Sequence, residues 1–173
     1  GGFNYVSVRG VDIAGSTGTA TTDAFYVKKD TSPPSIWDNQ GGDTAWRGTN
    51  PGAIYNVDFQ DDLSLLATAQ YTVSSSPDLP GGVGNVIAWA AISTGIFSVN
   101  FDAEWGILFS LLNAGTNYVS VRAMDTAGNT SDPTPDAFYV RKDTVPPAAI
   151  NTLSVSAGSE GALSISWSAP GDD

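Results

Sequence analysis

The chain has 173 residues, a length suited to one or two domains, and a net charge of −11 from 18 acidic and only 7 basic side chains. So few cations exclude phosphate-backbone recognition, which needs clustered Lys and Arg; an anionic membrane surface would repel the chain for the same reason. The sequence holds no Cys and no His, which removes disulfides, thiolate metal sites, thiol nucleophiles and the commonest general base.

The remaining composition points to strands. Apolar residues make up 41% and charged residues 14%, with Val, Ile, Phe, Tyr and Trp set among Gly, Ser, Thr, Asn and Asp. That mixture suits short strands joined by polar turns and is too apolar for disorder. The most apolar stretch, 86–101, is interrupted by Asn, Gly, Ser and Thr and is too short to span a bilayer. The opening Gly-Gly-Phe, without Met or a signal peptide, reads as the start of an internal segment.

An internal repeat sets the organisation. Residues 4–9 read NYVSVR and residues 117–122 read NYVSVR again, 113 positions later. The shift holds without a gap through Asp12-x-Ala14-Gly15 and Asp125-x-Ala127-Gly128. It continues through DAFYV at 23–27 and 136–140, and ends at KDTSPP (29–34) and KDTVPP (142–147), with about two thirds of the aligned positions identical. The repeat divides the chain into the C-terminal hairpin of one module (1–33), a complete module (34–146) and the first strands of a different module (147–173). Pro33-Pro34 and Pro146-Pro147 mark the joints, where paired prolines stiffen a short linker.

In chain order, residues 5–9 and 25–27 form a first hairpin. Tyr55, Val57 and Phe59 share one face of a strand, and Ala67, Ala69, Tyr71 and Val73 a face of the next. Pro80 to Gly84 reads as a flexible loop; it lacks the Lys-Ser/Thr of a phosphate loop. Val86, Ala88 and Ala90 then oppose Trp89, and Phe97, Val99 and Phe101 oppose Ile96, Ser98 and Asn100. The apolar run Trp105 to Leu112 fits a buried strand or a short helix; its turn-rich flanks favour the strand. Val119, Val121 and Ala123 alternate with Tyr118, Ser120 and Arg122. The turn Asp125 to Asn129 follows, with Gly128 free to take a positive φ, and Phe138 and Val140 lie on the returning strand. About seven short strands in roughly 110 residues predict an all-β sandwich.

NYVSVRAMDTAGNTS followed by DAFYVRKDTVPP resembles the last two strands of bacterial Ig-like repeat domains, which carry a Y-x-V-x-V-x-A-x-D-x-A-G-N pattern. The resemblance is specific over residues 114–147 and 1–34 and general over 35–113. PPAAINTLSVSAGSEGALSISWSAPGDD resembles the opening of a fibronectin type III domain, with Leu163, Ile165 and Trp167 alternating with serines. These resemblances imply immunoglobulin-like β-sandwich modules in tandem on a large extracellular or cell-surface prokaryotic protein. They imply spacing, display or filament formation, and no catalytic centre.

Candidate sites divide between chemistry and packing. Asp12 and Asp125 fit calcium ligation or an Asx-type turn; one Asp plus turn carbonyls falls short of the six to eight oxygens Ca²⁺ takes, which favours the turn. Asp61 with Asp62, and Asp102 with Glu104, are the better acidic pairs for calcium, here or at a module joint. A glycosidase pair would need two acids facing across a cleft, which the spacing does not indicate, and no cofactor fingerprint is present. Trp105 and Trp167 are expected in cores. Trp37, Trp46 and Trp89 are open to sugar stacking or inter-module packing, Trp46 beside Arg47 foremost. The core should include Val119, Val121, Phe138, Val140 and Trp105.

Partial modules at both ends should pack against something, because an isolated hairpin is marginal in water. The partner would be flanking modules of one polypeptide or neighbouring copies adding strands. The expected role is a structural repeat, scaffold or spacer, without nucleic-acid or membrane partners. The other reading is an adhesion module binding carbohydrate or a surface partner, with calcium as an aid.

Overall fold

The computed structural model describes residues 1–171 and is all-β. Twelve strands follow in order: β1 (Gly2–Val8), β2 (Thr21–Lys29), β3 (Ser35–Asp38), β4 (Asp43–Arg47), β5 (Val57–Gln60), β6 (Leu66–Ser74), β7 (Ile87–Thr94), β8 (Asn100–Phe101), β9 (Gly115–Asp125), β10 (Thr134–Lys142), β11 (Ser154–Ala157) and β12 (Leu163–Ser166). No helix of the described residues is long and apolar enough to cross a membrane.

Strands β3 to β10 make a β-sandwich. A five-stranded sheet runs β4-β10-β9-β6-β7 and a three-stranded sheet runs β3-β5-β8. The period-2 pattern of the sequence becomes burial: Tyr55, Val57 and Phe59 meet Ala69, Tyr71, Val73, Val119, Val121, Phe138 and Val140 across the core. Aromatic rings hold the centre, with Tyr55 stacked on Phe138 at 4.6 Å and Trp105 edge-on to Phe138 at 5.7 Å. Strand β4 pairs parallel with β10, whereas β3 pairs antiparallel with β5, so the first strand segment crosses from one sheet to the other.

Three expectations are corrected. The run Trp105 to Leu112 is not a strand: it pairs only through the bridge Tyr55–Trp105 and ends in a 3-10 turn at Phe109–Leu111. Burial still alternates: Trp105, Ile107 and Phe109 are buried although the segment's backbone pairs with its neighbours only at that bridge. Residues 96–99 do not form a strand either; Phe97 takes φ 49° and is exposed, leaving β8 only two residues long. The segment Pro80 to Gly84 is pinned rather than free. The Gly84 N–H donates to Thr72 Oγ1 at 2.7 Å and the Trp89 indole N–H to the Gly82 carbonyl at 3.1 Å.

Tyr55 makes the alkaline limit predictable. Burial, and secondarily the Asp43 carboxylate, push its phenol from 10.0 up to about 12. The neutral phenol is favoured in the fold, so this contribution is intact below pH 10.0 and is lost as pH rises towards about 12. Melting temperature should fall across that window, and Tyr55→Phe should flatten the fall. An equally steep fall in the variant would refute the assignment.

The hairpin β1–β2 repeats β9–β10 in geometry as well as in sequence. Asp23 and Asp136 both take positive φ, 52° and 49°. The Asp23 N–H donates to Ser7 Oγ at 3.1 Å and the Asp136 N–H to Ser120 Oγ at 3.0 Å. Asp12 and Asp125 each accept from the N–H four residues on, both at 2.8 Å. The two copies differ most in what covers them. Val121, Phe138 and Val140 are 0%, 2% and 0% exposed, whereas their counterparts Val8, Phe25 and Val27 are 49%, 53% and 51% exposed. The hairpin β11–β12 is likewise uncovered. Trp167, expected in a core, is 56% exposed because no described strand lies across from it.

Candidate functional site at the first joint

Chemistry-bearing side chains converge where the β1–β2 hairpin meets the sandwich. Just past β2, Asp30 turns the chain: its carboxylate accepts the Ser32 N–H at 2.9 Å, an Asx turn repeated at the second joint by Asp143 and the Val145 N–H at 2.8 Å. The Ser32 N–H is the main reason the Asp30 carboxyl sits below its usual range. Pro34 then enters the sandwich buried, whereas Pro33, Pro146 and Pro147 stay exposed, so the two proline pairs are not equivalent.

Asp61 closes the loop after β5. It is buried, and its Oδ1 accepts three backbone N–H groups, from Leu63 at 3.1 Å, Ser64 at 2.8 Å and Leu65 at 2.9 Å. Leu65 is held at φ 76°, a conformation costly for a branched side chain. Asp125 is also buried and accepts both the backbone N–H and the Nδ2 of Asn129. One carboxylate oxygen from each of Asp30, Asp61 and Asp125 lies within 4.8 Å of the others. The one ion pair among the described residues is Arg47–Asp43 at 2.9 Å, so no Lys or Arg forms a direct ion pair with this triad. Beside it lies a cleft of about 530 Å³ lined by Phe3, Lys28, Lys29, Asp62, Leu63 and Thr126, among others.

The grouping differs from the acidic pairs predicted from the sequence. Asp61 belongs to the cluster, but its sequence neighbour Asp62 points outward, and Asp102 and Glu104 are exposed on another loop. Asp125 does serve as a turn residue, and it also enters the cluster. Sequence reasoning missed Asp30, because the fold alone brings a linker residue against loops 31 and 95 positions away; its place at the start of a joint repeated as Asp143 was the available signal.

The tryptophans separate as well. Trp105 is core. Trp46 is 60% exposed with the Arg141 guanidinium 5.7 Å from its ring, and Trp89 is partly covered by Arg122 at 4.1 Å. Trp37 stands half exposed on the opposite sheet, over a groove of about 250 Å³ shared with Asp58, Gln60, Asn100 and Asp102. Lys142 donates to the carbonyls of Phe109 at 3.2 Å and Leu112 at 2.8 Å and so holds the segment that fails to become a strand. No protein-family model, curated protein or solved structure matches the chain.

Proposed function

We propose that the chain is a structural stretch of a tandem Ig-like array, an extracellular spacer or scaffold in which residues 1–33 close one sandwich and residues 34–146 form the next. The observation that carries this reading is the uncovered copy of β9–β10. β1–β2 preserves the bulge, the turn and the inward apolar face of a hairpin whose twin, flanked by β4 and β6, has that same face buried. A face of this composition contributes stability only when another sheet removes it from water. The missing cover should therefore have the character of residues 34–113. Asx turns at both joints and paired prolines favour defined spacing between neighbours. The reading assigns no catalytic step.

Grafting residues 34–113 directly ahead of Gly1 restores the spacing of the repeat and tests the reading. Hydrogen exchange of β1–β2 amides should then slow towards the rates of β9–β10. Unchanged fast exchange, in a graft whose original sandwich remains folded, would reject the reading.

A second reading, an adhesion module stiffened by calcium, is favoured by one observation: three clustered carboxylates that form no direct ion pair, one of them from the linker. Backbone carbonyls and water would have to complete the six to eight oxygens calcium takes. At free calcium about 100 times its dissociation constant, binding would add about 2.7 kcal/mol. The expected sign is a melting temperature that rises with calcium in the native chain and not in Asp30→Asn. Indifference to both calcium and chelator removes this reading and leaves the spacer intact.

A further inference from the structure

The charges of the central sandwich are segregated between its two outer faces. No Lys or Arg occurs between Arg47 and Arg122, a stretch that supplies all of β5 to β8. The cations of residues 34–146 are Arg47, Arg122, Arg141 and Lys142, and they lie on β4, β9 and β10 of the five-stranded sheet. Arg47 is paired with Asp43, and Lys142 is occupied by backbone carbonyls. Arg122 and Arg141 lie on the outer face; Arg122 donates to Gln70 Oε1 at 2.8 Å and lies over Trp89, and Arg141 has Trp46 and Tyr139 against it. The other acids of that sheet, Asp125 and Asp136, accept backbone N–H groups of Asn129 and Asp78 at its ends. The three-stranded sheet is the reverse. The pairings Trp37–Asp58 and Gln60–Asn100 place these residues on its outer face, Asp62 and Asp102 flank them, and no cation is present.

We propose that the outer face of the five-stranded sheet docks on the outer face of the three-stranded sheet of a second copy. Arg141 then faces Asp58 and Asp102, which the register of β5 and β8 sets opposite each other, and the protruding Trp46 indole meets the groove beside Trp37. Charge complementarity selects this occupant. Two chains of net charge −11 repel each other in most orientations, and this pairing sets the cationic face of one against the cation-free face of the other. Because the two surfaces differ, the contact is heterologous and repeats: each copy keeps a free face of each kind, so association is open-ended rather than a closed dimer. The geometry packs sandwiches side by side, and it rests on the central sandwich alone, independent of how the chain continues at either end.

Sedimentation velocity of the full chain over a concentration series reads this directly. In about 20 mM salt the weight-average mass should climb with concentration without a plateau, and in about 0.5 M salt association should weaken at least tenfold, since screening acts on exposed charge pairs. Association through the uncovered hairpins would be apolar and would not weaken with salt, so salt-resistant association overturns the proposal. Arg141→Glu and Asp102→Lys, each checked for native circular dichroism, should each lose association. Mixing the two variants should restore it, because each reversed face then meets its reversed counterpart. A native chain that stays monomeric in low salt, or that is monomeric yet binds an anionic polysaccharide such as alginate, overturns the second-copy assignment, as does a mixture that fails to recover.

Discussion

Phe138→Ala should cost about 3–5 kcal/mol, whereas Phe25→Ala should cost about 0.5 kcal/mol or less, although both residues occupy the same place in the same DAFYV sequence. Phe138 stacks on Tyr55, meets Trp105 edge-on and is almost wholly buried, so its removal loses transfer free energy and leaves a cavity between two sheets. Phe25 is 53% exposed and has no facing sheet. Urea midpoints of the two variants give the comparison. The result also bears on the proposed array. Once residues 34–113 are grafted ahead of Gly1, Phe25→Ala should become as costly as Phe138→Ala. A Phe25→Ala cost already large in the ungrafted chain would mean that something else covers the hairpin.

The second large effect is expected at Asp61. One carboxylate oxygen accepts three consecutive N–H groups and holds the loop that carries Leu65 at positive φ. Asp61→Ala leaves those donors without an acceptor in a buried position, at a cost of about 3 kcal/mol. Asp61→Asn keeps an acceptor and should lose about half as much. Asp62→Ala, one residue on and exposed, should change stability by about 0.5 kcal/mol at most. Similar urea midpoints for Asp61→Ala and Asp62→Ala would refute this role for the loop. Near-neutral substitution of Asp61 would equally weaken the case for a site at the first joint, since the same carboxylate belongs to the acidic cluster.

Much of the sandwich was legible because its strands are half-buried, and a half-buried strand writes its geometry into alternate residues. Tyr55-Val57-Phe59 and Val119-Val121-Ala123 both identify their inward faces unaided. Trp105 to Phe109 shows the limit of that signal. Alternation reports which side chains face the core, and says nothing of whether a neighbouring strand is present to pair the backbone. At the joint the difficulty is of another kind. Asp61 and Asp125 stand out as acids in turns, but Asp30 reads as one more linker residue, and the three meet only through long-range folding. Asp102 and Glu104, paired by their nearness in sequence, are both exposed and lie outside this cluster. Trp46 was recognisable as exposed from its polar neighbours; the Arg141 guanidinium beside it comes from a strand about ninety residues later.

The parallel pairing of β4 with β10 has a mechanical consequence. The chain enters β4 at its start, Asp43, and leaves β10 at its end, Lys142, and in a parallel pair those points lie at opposite ends. Tension applied along the polypeptide therefore draws the two strands lengthwise past each other and loads their cross-links, Val140–Asp43 to Lys142–Arg47, together rather than one after another. A hairpin pulled at its open end would unzip bond by bond. Here the edge strand β4 and its neighbour β10 form a lap joint loaded in shear.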